Sequence, residues 1–276
     1  MERIRQAVEQ AARDRERKSG QSATSTAKVP GAGAAVAGAR VSAEEVRFTQ
    51  TRNVIVSLAT RKRNRLVAGI PGHPMRDTYR MLRTRVLQEL KANDWNVIAV
   101  TSPATGSGKT LTAINMAISL AMDLSHLVLL VDGDLRNPSV HKYFNYKPEF
   151  GLNDVLFNDV PLSSVLFHPD IDRLTILPGC DTISESAEAL ASPRAVALMQ
   201  ELRSRYADRI IVVDIPPVLS VDDALALAPN VDCMLMVTES GETTRDDLYK
   251  AMDLLDGIPI LGTVLNKSDK KVVDIF

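Results

Sequence analysis

The chain has 276 residues, 45% of them hydrophobic, which is enough to bury a substantial core in one or two domains. Its two cysteines, Cys180 and Cys233, lack metal-ligand spacing, and His73, His126, His141 and His168 are scattered, so a disulfide scaffold, a zinc centre and a thiol or imidazole nucleophile are not expected. A net charge of -1 conceals an imbalance: Met1 to Ala92 carries 19 Lys/Arg against 8 Asp/Glu, the remainder 14 against 26, as expected of a basic arm facing an acidic body or an anionic membrane.

Residues 1–18 have helix-forming composition with many opposite charges and a thin stripe of Ile4, Val8 and Ala11 or Ala12, which predicts a short exposed helix. This terminus is too charged for a signal peptide. No segment approaches the roughly 20 apolar residues of a membrane span, so a cytoplasmic location is expected. From Ser19 to about Ala43 the chain is rich in Ala, Gly, Ser and Thr and reads as a flexible linker, and the basic arm it opens is expected to run over residues 19–75. Within that arm, Arg61, Lys62, Arg63 and Arg65 form a compact patch able to face lipid phosphates. Residues 76–92 form the next predicted helix. Leu82, Val86, Leu87 and Leu90 occupy one face, while Arg76, Arg80 and Arg83 recur on another beside Asp77, a stripe whose forked guanidiniums suit a subunit contact.

From Asn96 onward, short apolar runs alternate with helical segments. Strands are predicted at 96–101, 127–132, 173–178, 209–214, 231–237 and 259–265, and helices at 109–122, 192–206 and 243–255, with shorter pieces near 151–157 and 221–227. The expected fold class is α/β: a mostly parallel sheet with helices on both faces, in a domain spanning 76–276. Trp95, Tyr143, Phe144 and Tyr146 read as packing groups, because no regular basic residues interleave them, and no nucleic acid is expected as a partner.

The first strand runs into Thr101-Ser-Pro-Ala-Thr105-Gly106-Ser107-Gly108-Lys109-Thr110-Leu111, a phosphate-binding loop between strand and helix. Gly106 and Gly108 allow the backbone to curl its NH groups around a polyphosphate, Lys109 would reach the β- and γ-phosphates, and Thr110 would ligate Mg2+. Pro103 stands where the strict pattern has glycine. The run 127–131 ends in Asp132-Gly-Asp134, and the run 210–213 ends in Asp214-Ile-Pro216-Pro217. Residues two apart on a strand point the same way, so Asp132 and Asp134 are both expected at the crevice, with Asp214 at the same sheet edge. A hydroxyl plus carboxylates suits magnesium, and Asp132 or Asp134 could accept a proton from an attacking hydroxyl.

The runs TSPATGSGKT, VLLVDGDLRNP, IIVVDIPPVLSVDDALALAP and GTVLNK resemble the bacterial tyrosine kinases of exopolysaccharide systems, a branch of the deviant P-loop ATPases that includes the partitioning and division-site ATPases. The likeness covers about residues 76–267. MERIRQAVEQAARDRER and DTYRMLRTRVL extend it to the exosortase-associated tyrosine autokinases. The resemblance implies an ATP- and Mg2+-dependent protein-tyrosine autokinase that regulates exopolysaccharide chain length, polymerisation or export. Lys109 and Thr110 would bind ATP and magnesium, Asp132 and Asp134 would form the second Walker-type motif, Asp214 would belong to Walker B, and Asn266 would lie against adenine. Asp77, Arg80 and Arg83 would mediate ring-like self-association. A separate inner-membrane chain-length regulator of the polysaccharide co-polymerase type would be the activating partner and would hold the kinase at the membrane.

Ala104 stands where partitioning ATPases carry an additional lysine, which counts against that alternative. Asn266-Lys-Ser-Asp269 also fits the guanine-reading NKxD pattern, though ATP is preferred. The family's C-terminal tyrosine cluster has no counterpart after Tyr249, which leaves a nucleotide-dependent switch or adaptor without phosphate transfer as a second alternative. Tyr79, Tyr143, Tyr146, Tyr206 and Tyr249 are all expected within or beside packed elements, where burial would hinder phosphorylation.

Overall fold

Four apolar runs that bury both of their faces form the centre of the sheet. In the computed structural model, which describes residues 51–204 and 209–268, these are β2, β3, β6 and β7 in the following order of elements. The chain enters through β1 (Arg52–Asn53), α1 (Leu58–Arg63) and α2 (Met75–Asn93), then β2 (Val97–Thr101), α3 (Lys109–Ala121) and β3 (Leu127–Asp132). After α4 (Val140–Tyr143), α5 (Leu152–Phe157) and α6 (Leu162–Val165) come β4 (Phe167–His168) and β5 (Leu174–Leu177). The chain closes with α7 (Ser186–Ala191), α8 (Pro193–Ser204), β6 (Arg209–Asp214), α9 (Asp223–Leu227), β7 (Cys233–Glu239), α10 (Arg245–Leu254) and β8 (Ile260–Asn266).

The strands lie in the order β1-β4-β5-β3-β6-β2-β7-β8, and every pairing is parallel except β4 with β5. Alternate residues feed two cores, because side chains on a strand point to opposite faces. Val97, Ala99, Leu129, Val131, Ile211, Val213, Met234 and Met236 join one core with Leu198, Met199 and Leu202 of α8. Ile98, Val100, Val128, Leu130, Ile210, Val212 and Leu235 join the other, beneath Val86 and Leu90 of α2 and Ile114, Ala117 and Ile118 of α3. The α/β class with helices on both faces is thus established, and the major strands fall within about two residues of their expected bounds.

Contacts divide the chain into two units, Met1–Ser42 and Ala43–Phe276, and every described residue belongs to the second. The expected helix 1–18 and the linker up to residue 50 lie outside the described residues. Residues 51–75 correct the expectation of an arm that reaches residue 75. Val56, Leu66, Ala68 and Ile70 are buried, and the side chain of Asn115 in α3 accepts from the Ala68 amide (3.0 Å) while donating to Arg65 O (3.0 Å). Arg61 is likewise turned inward, its guanidinium donating to Val56 O (3.1 Å) and Asp170 O (2.9 Å). Of the four cations expected to face lipid, only Lys62, Arg63 and Arg65 are exposed.

Candidate active site

The loop from Ser102 to Gly108 leaves β2 at the carboxyl end of the sheet and feeds α3. Gly106 and Gly108 both adopt left-handed backbone, with φ of 86° and 85°, which other residues resist. At Gly108 a second constraint operates: a Cβ there would collide with Nδ2 of Asn266, which donates to Ser107 O at 2.8 Å. The β8 asparagine therefore braces the loop from behind. The Pro103 carbonyl accepts the Leu219 amide (3.2 Å), and neighbouring Ser102 O accepts the Val218 amide (2.9 Å). Thr101 Oγ1 donates to Pro216 O (2.7 Å), so the segment after β6 and the loop after β2 are laced together.

Lys109, the first residue of α3, directs Nζ toward three oxygens: Asp134 Oδ2 at 2.8 Å, Thr110 Oγ1 at 3.3 Å and Asp214 Oδ1 at 3.5 Å. Burial alone would push the lysine pKa down, but the carboxylates of Asp214 and Asp134 outweigh it and the net displacement is upward. Lys109 remains charged. Asp132 and Asp214 occupy directly opposed positions on β3 and β6, both fully buried. Asp132 Oδ2 accepts from the Ser139 and Val140 amides, each at 2.9 Å, yet burial and repulsion from Asp214 raise its pKa to about 7. Asp214 is also raised by burial, against the pull of Lys109 and a hydrogen bond from Thr110.

One expectation about the aspartates is corrected. Strand β3 ends at Asp132, and Gly133 turns its amide onto Asp214 O (2.8 Å), so Asp134 lies on a loop and does not share a strand face with Asp132. Asp134 opens onto a cavity of about 480 Å³ formed with Thr105, Gly106, Gly108, Lys109 and Thr110, whereas Asp132 lies beneath it. Of the nucleotide-binding candidates, Leu111 lies on α3 packed against the core and Ser107 is buried within the loop, its hydroxyl donating to Ala104 O. Asp269 of the NKxD pattern lies outside the described residues.

Several residues of the site are assigned no role by the sequence, although Asn137, Pro216, Pro217 and Ser220 lie inside the runs that carry the resemblance. Asn137, Ser139, Tyr143, Pro216, Pro217 and Ser220 complete the cavity wall. Arg136, two residues beyond Asp134, donates to the fully buried Asp223 (3.1 Å) and lies 3.5 Å from Asp222, tying the Asp134 loop to the start of α9. The DLR and VDD runs hold these partners, but nothing in their 87-residue separation announces the pair.

The donor set fits a divalent cation bound with a nucleotide. Asp132 Oδ1 and Asp214 Oδ2 are buried without a hydrogen-bond partner, and the Thr110 hydroxyl adjoins Asp214. Two orphaned carboxylate oxygens and a hydroxyl are hard oxygen ligands of the kind magnesium takes. The left-handed glycines and the start of α3 supply the cradle for phosphate.

The sequence profile of the AAA domain matches residues 95–255. The chain is 34% identical to the tyrosine-protein kinase CpsD of Streptococcus pneumoniae, over 70% of this chain and 85% of that protein, and 30% identical to the tyrosine-protein kinase YwqD of Bacillus subtilis, over 69% and 80%. It is 31% identical to EpsB of Ralstonia nicotianae over 77% of its own length, but spans only 28% of EpsB. Among solved structures, the chimerical protein CapA2B2 superposes with a TM-score of 0.69 at 26% identity, covering 79% of this chain and 94% of that one. The VpsO kinase domain gives 0.63 at 30% identity, covering 71% and 97%. The septum site-determining protein MinD of Pyrococcus horikoshii, solved with Mg-ADP, gives 0.54 at 26% identity, covering 66% and 74%.

Proposed function

Because this chain belongs to the family of bacterial tyrosine-protein kinases, we propose that its site transfers the γ-phosphoryl group of ATP to a tyrosine hydroxyl, in a pathway that builds or exports exopolysaccharide. The observation that carries this reading is the cluster of Lys109, Asp134 and Asp214 at the mouth of the phosphate-binding loop. The loop amides and Lys109 bind and neutralise the phosphates. Asp134, on the cavity wall, takes the proton from the tyrosine oxygen as that oxygen bonds to phosphorus and the bond to ADP breaks. Asp132 and Asp214, with Thr110, would hold Mg2+, which supplies charge neutralisation when bound. ATP is preferred over GTP on the family resemblance; Asn266, expected against adenine, spends its Nδ2 on Ser107 O (2.8 Å).

The acceptor tyrosine comes from a second copy or from another protein. Tyr249 corrects the expectation that every tyrosine is packed away, since it is 64% exposed on α10. Self-association uses the exposed Asp77 and Arg80 of α2, whereas Arg83, expected to share that contact, is turned onto Ser119 O (3.1 Å), and a separate inner-membrane chain-length regulator activates the kinase. No described helix is long and apolar enough to cross a membrane, so attachment would be peripheral.

Incubation of the purified chain with radiolabelled ATP and Mg2+ tests the reading. Phosphotyrosine is expected in the wild type and a loss of about 10³-fold in Lys109→Met. Absence of phosphotyrosine with ATP hydrolysis retained, also with the membrane partner present, would favour the nucleotide-dependent adaptor instead.

A further inference from the structure

Where the chain passes from β1 to α1, at the end of the sheet formed by β1 and β4, Ile55 is 86% exposed and Leu58 is 55% exposed. They are held there by ordered structure: Val54 N donates to His168 O (2.8 Å), and the Ser57 hydroxyl caps α1 by accepting the Thr60 amide (3.1 Å). Single exposed aliphatics are commonplace, but these two adjoin a concentration of cations. One helical turn beyond Leu58 and Ala59 stand Lys62 and Arg63, all four exposed, while Arg61 points inward to Val56 and Asp170. A separate stretch of chain adds to the charge. Asn64 Nδ2 donates to Tyr143 O (2.7 Å) and so brings exposed Lys142 beside α1, and Arg52 lies 5.6 Å over the Tyr146 ring beside exposed Lys147. The acids on these stretches of chain include Glu149, Asp170 and Asp172, and Asp170 is engaged by Arg61.

We infer that this face docks on an anionic lipid bilayer, with Ile55 and Leu58 entering the interface and Lys62, Arg63, Arg65 and Lys142 meeting lipid phosphates. The chemistry requires both components. A free phosphate would use the cations but leave the aliphatics in water. A bilayer presents anionic headgroups above hydrocarbon and so can receive both the cations and the exposed aliphatics. The inference rests on the peripheral-attachment part of the proposed function and is independent of phosphate transfer.

Flotation of the full chain with vesicles of phosphatidylcholine alone, or containing about one-third phosphatidylglycerol, provides the test. The wild type should float with the anionic vesicles only, and less as salt rises. Ile55→Ser with Leu58→Ser, and separately Lys62→Glu with Arg63→Glu, should each lower the bound fraction about tenfold. Both variants should keep the wild-type far-ultraviolet spectrum and phosphotransfer measured without vesicles. The proposal is overturned if the wild type fails to float or binds neutral vesicles equally, or if both double variants bind normally, which would assign attachment to other residues. Loss of self-association on a sizing column with unchanged flotation would also overturn it, by marking the face as a contact between protein chains.

Discussion

At the residue scale, the buried Asp132 links folding to protons and, in the proposed site, to metal. Its pKa of about 7 in the folded chain arises first from burial and then from Asp214, whereas an unfolded carboxyl ionises near about 3.9. Between those values the folded state keeps a proton that the unfolded chain releases, so stability from this group is fully present below about pH 4 and is lost as pH rises through about 7. Thermal unfolding without nucleotide should therefore show a falling midpoint from pH 5 to 8. Asp132→Asn should flatten much of that fall, leaving the part due to Asp214, whose pKa is also raised. An unchanged slope would remove the assignment. Divalent-cation affinity should run the other way and strengthen through the same window, because a ligating carboxylate must lose its proton. The positions of these aspartates were legible only in outline. DGD and DIPP mark strand ends, but a period of two cannot tell that Gly133 turns the chain and leaves Asp134 in the cavity with Asp132 below.

At the scale of elements, the loop and α3 were legible because glycine, lysine and an apolar run of helical period occur together in sequence. The segment 51–75 was not. A two-residue strand has no measurable period, the six residues of α1 are too few for one, and the alternation of buried Leu66, Ala68 and Ile70 is cut short by Pro71 and lies ten residues from buried Val56. What orders them is Asn115, fully buried in α3 and bonded to Ala68 N, Arg65 O and Leu111 O. Asn115→Ala strands those backbone groups and should cost about 3 kcal/mol, read as a shift of the urea midpoint. Proteolytic cleavage between residues 56 and 74 should accelerate in the same variant. A midpoint unchanged within error would mean that water replaces the amide.

At the scale of the whole molecule, the arginine face of α2 divides between a residue open to the proposed self-association and one that packs the fold. Arg80 pairs with Asp77 at 3.1 Å with both side chains largely in water, a contact that contributes little and is free to exchange partners. Arg83 instead donates to Ser119 O (3.1 Å) and fastens α2 to α3. Arg80→Glu should therefore dissolve self-association, measured by light scattering on a sizing column, with the unfolding midpoint nearly unchanged. Arg83→Ala should lower that midpoint by about 2 °C, equivalent to about 1 kcal/mol in a chain of this size. Equal assembly of wild type and Arg80→Glu would remove Arg80 from the interface. By itself the sequence determined the α/β class, the phosphate-binding loop and the acidic strand ends, because alternation, glycine spacing and strand-end carboxylates are local patterns. Only the tertiary structure decided that Lys109 meets Asp134 and Asp214, that Asn266 backs Gly108, and that residues 51–75 close over α3. Each of those contacts joins segments far apart in the chain, where the relative placement of β2, β3, β6 and β8 sets the distances and no local pattern can.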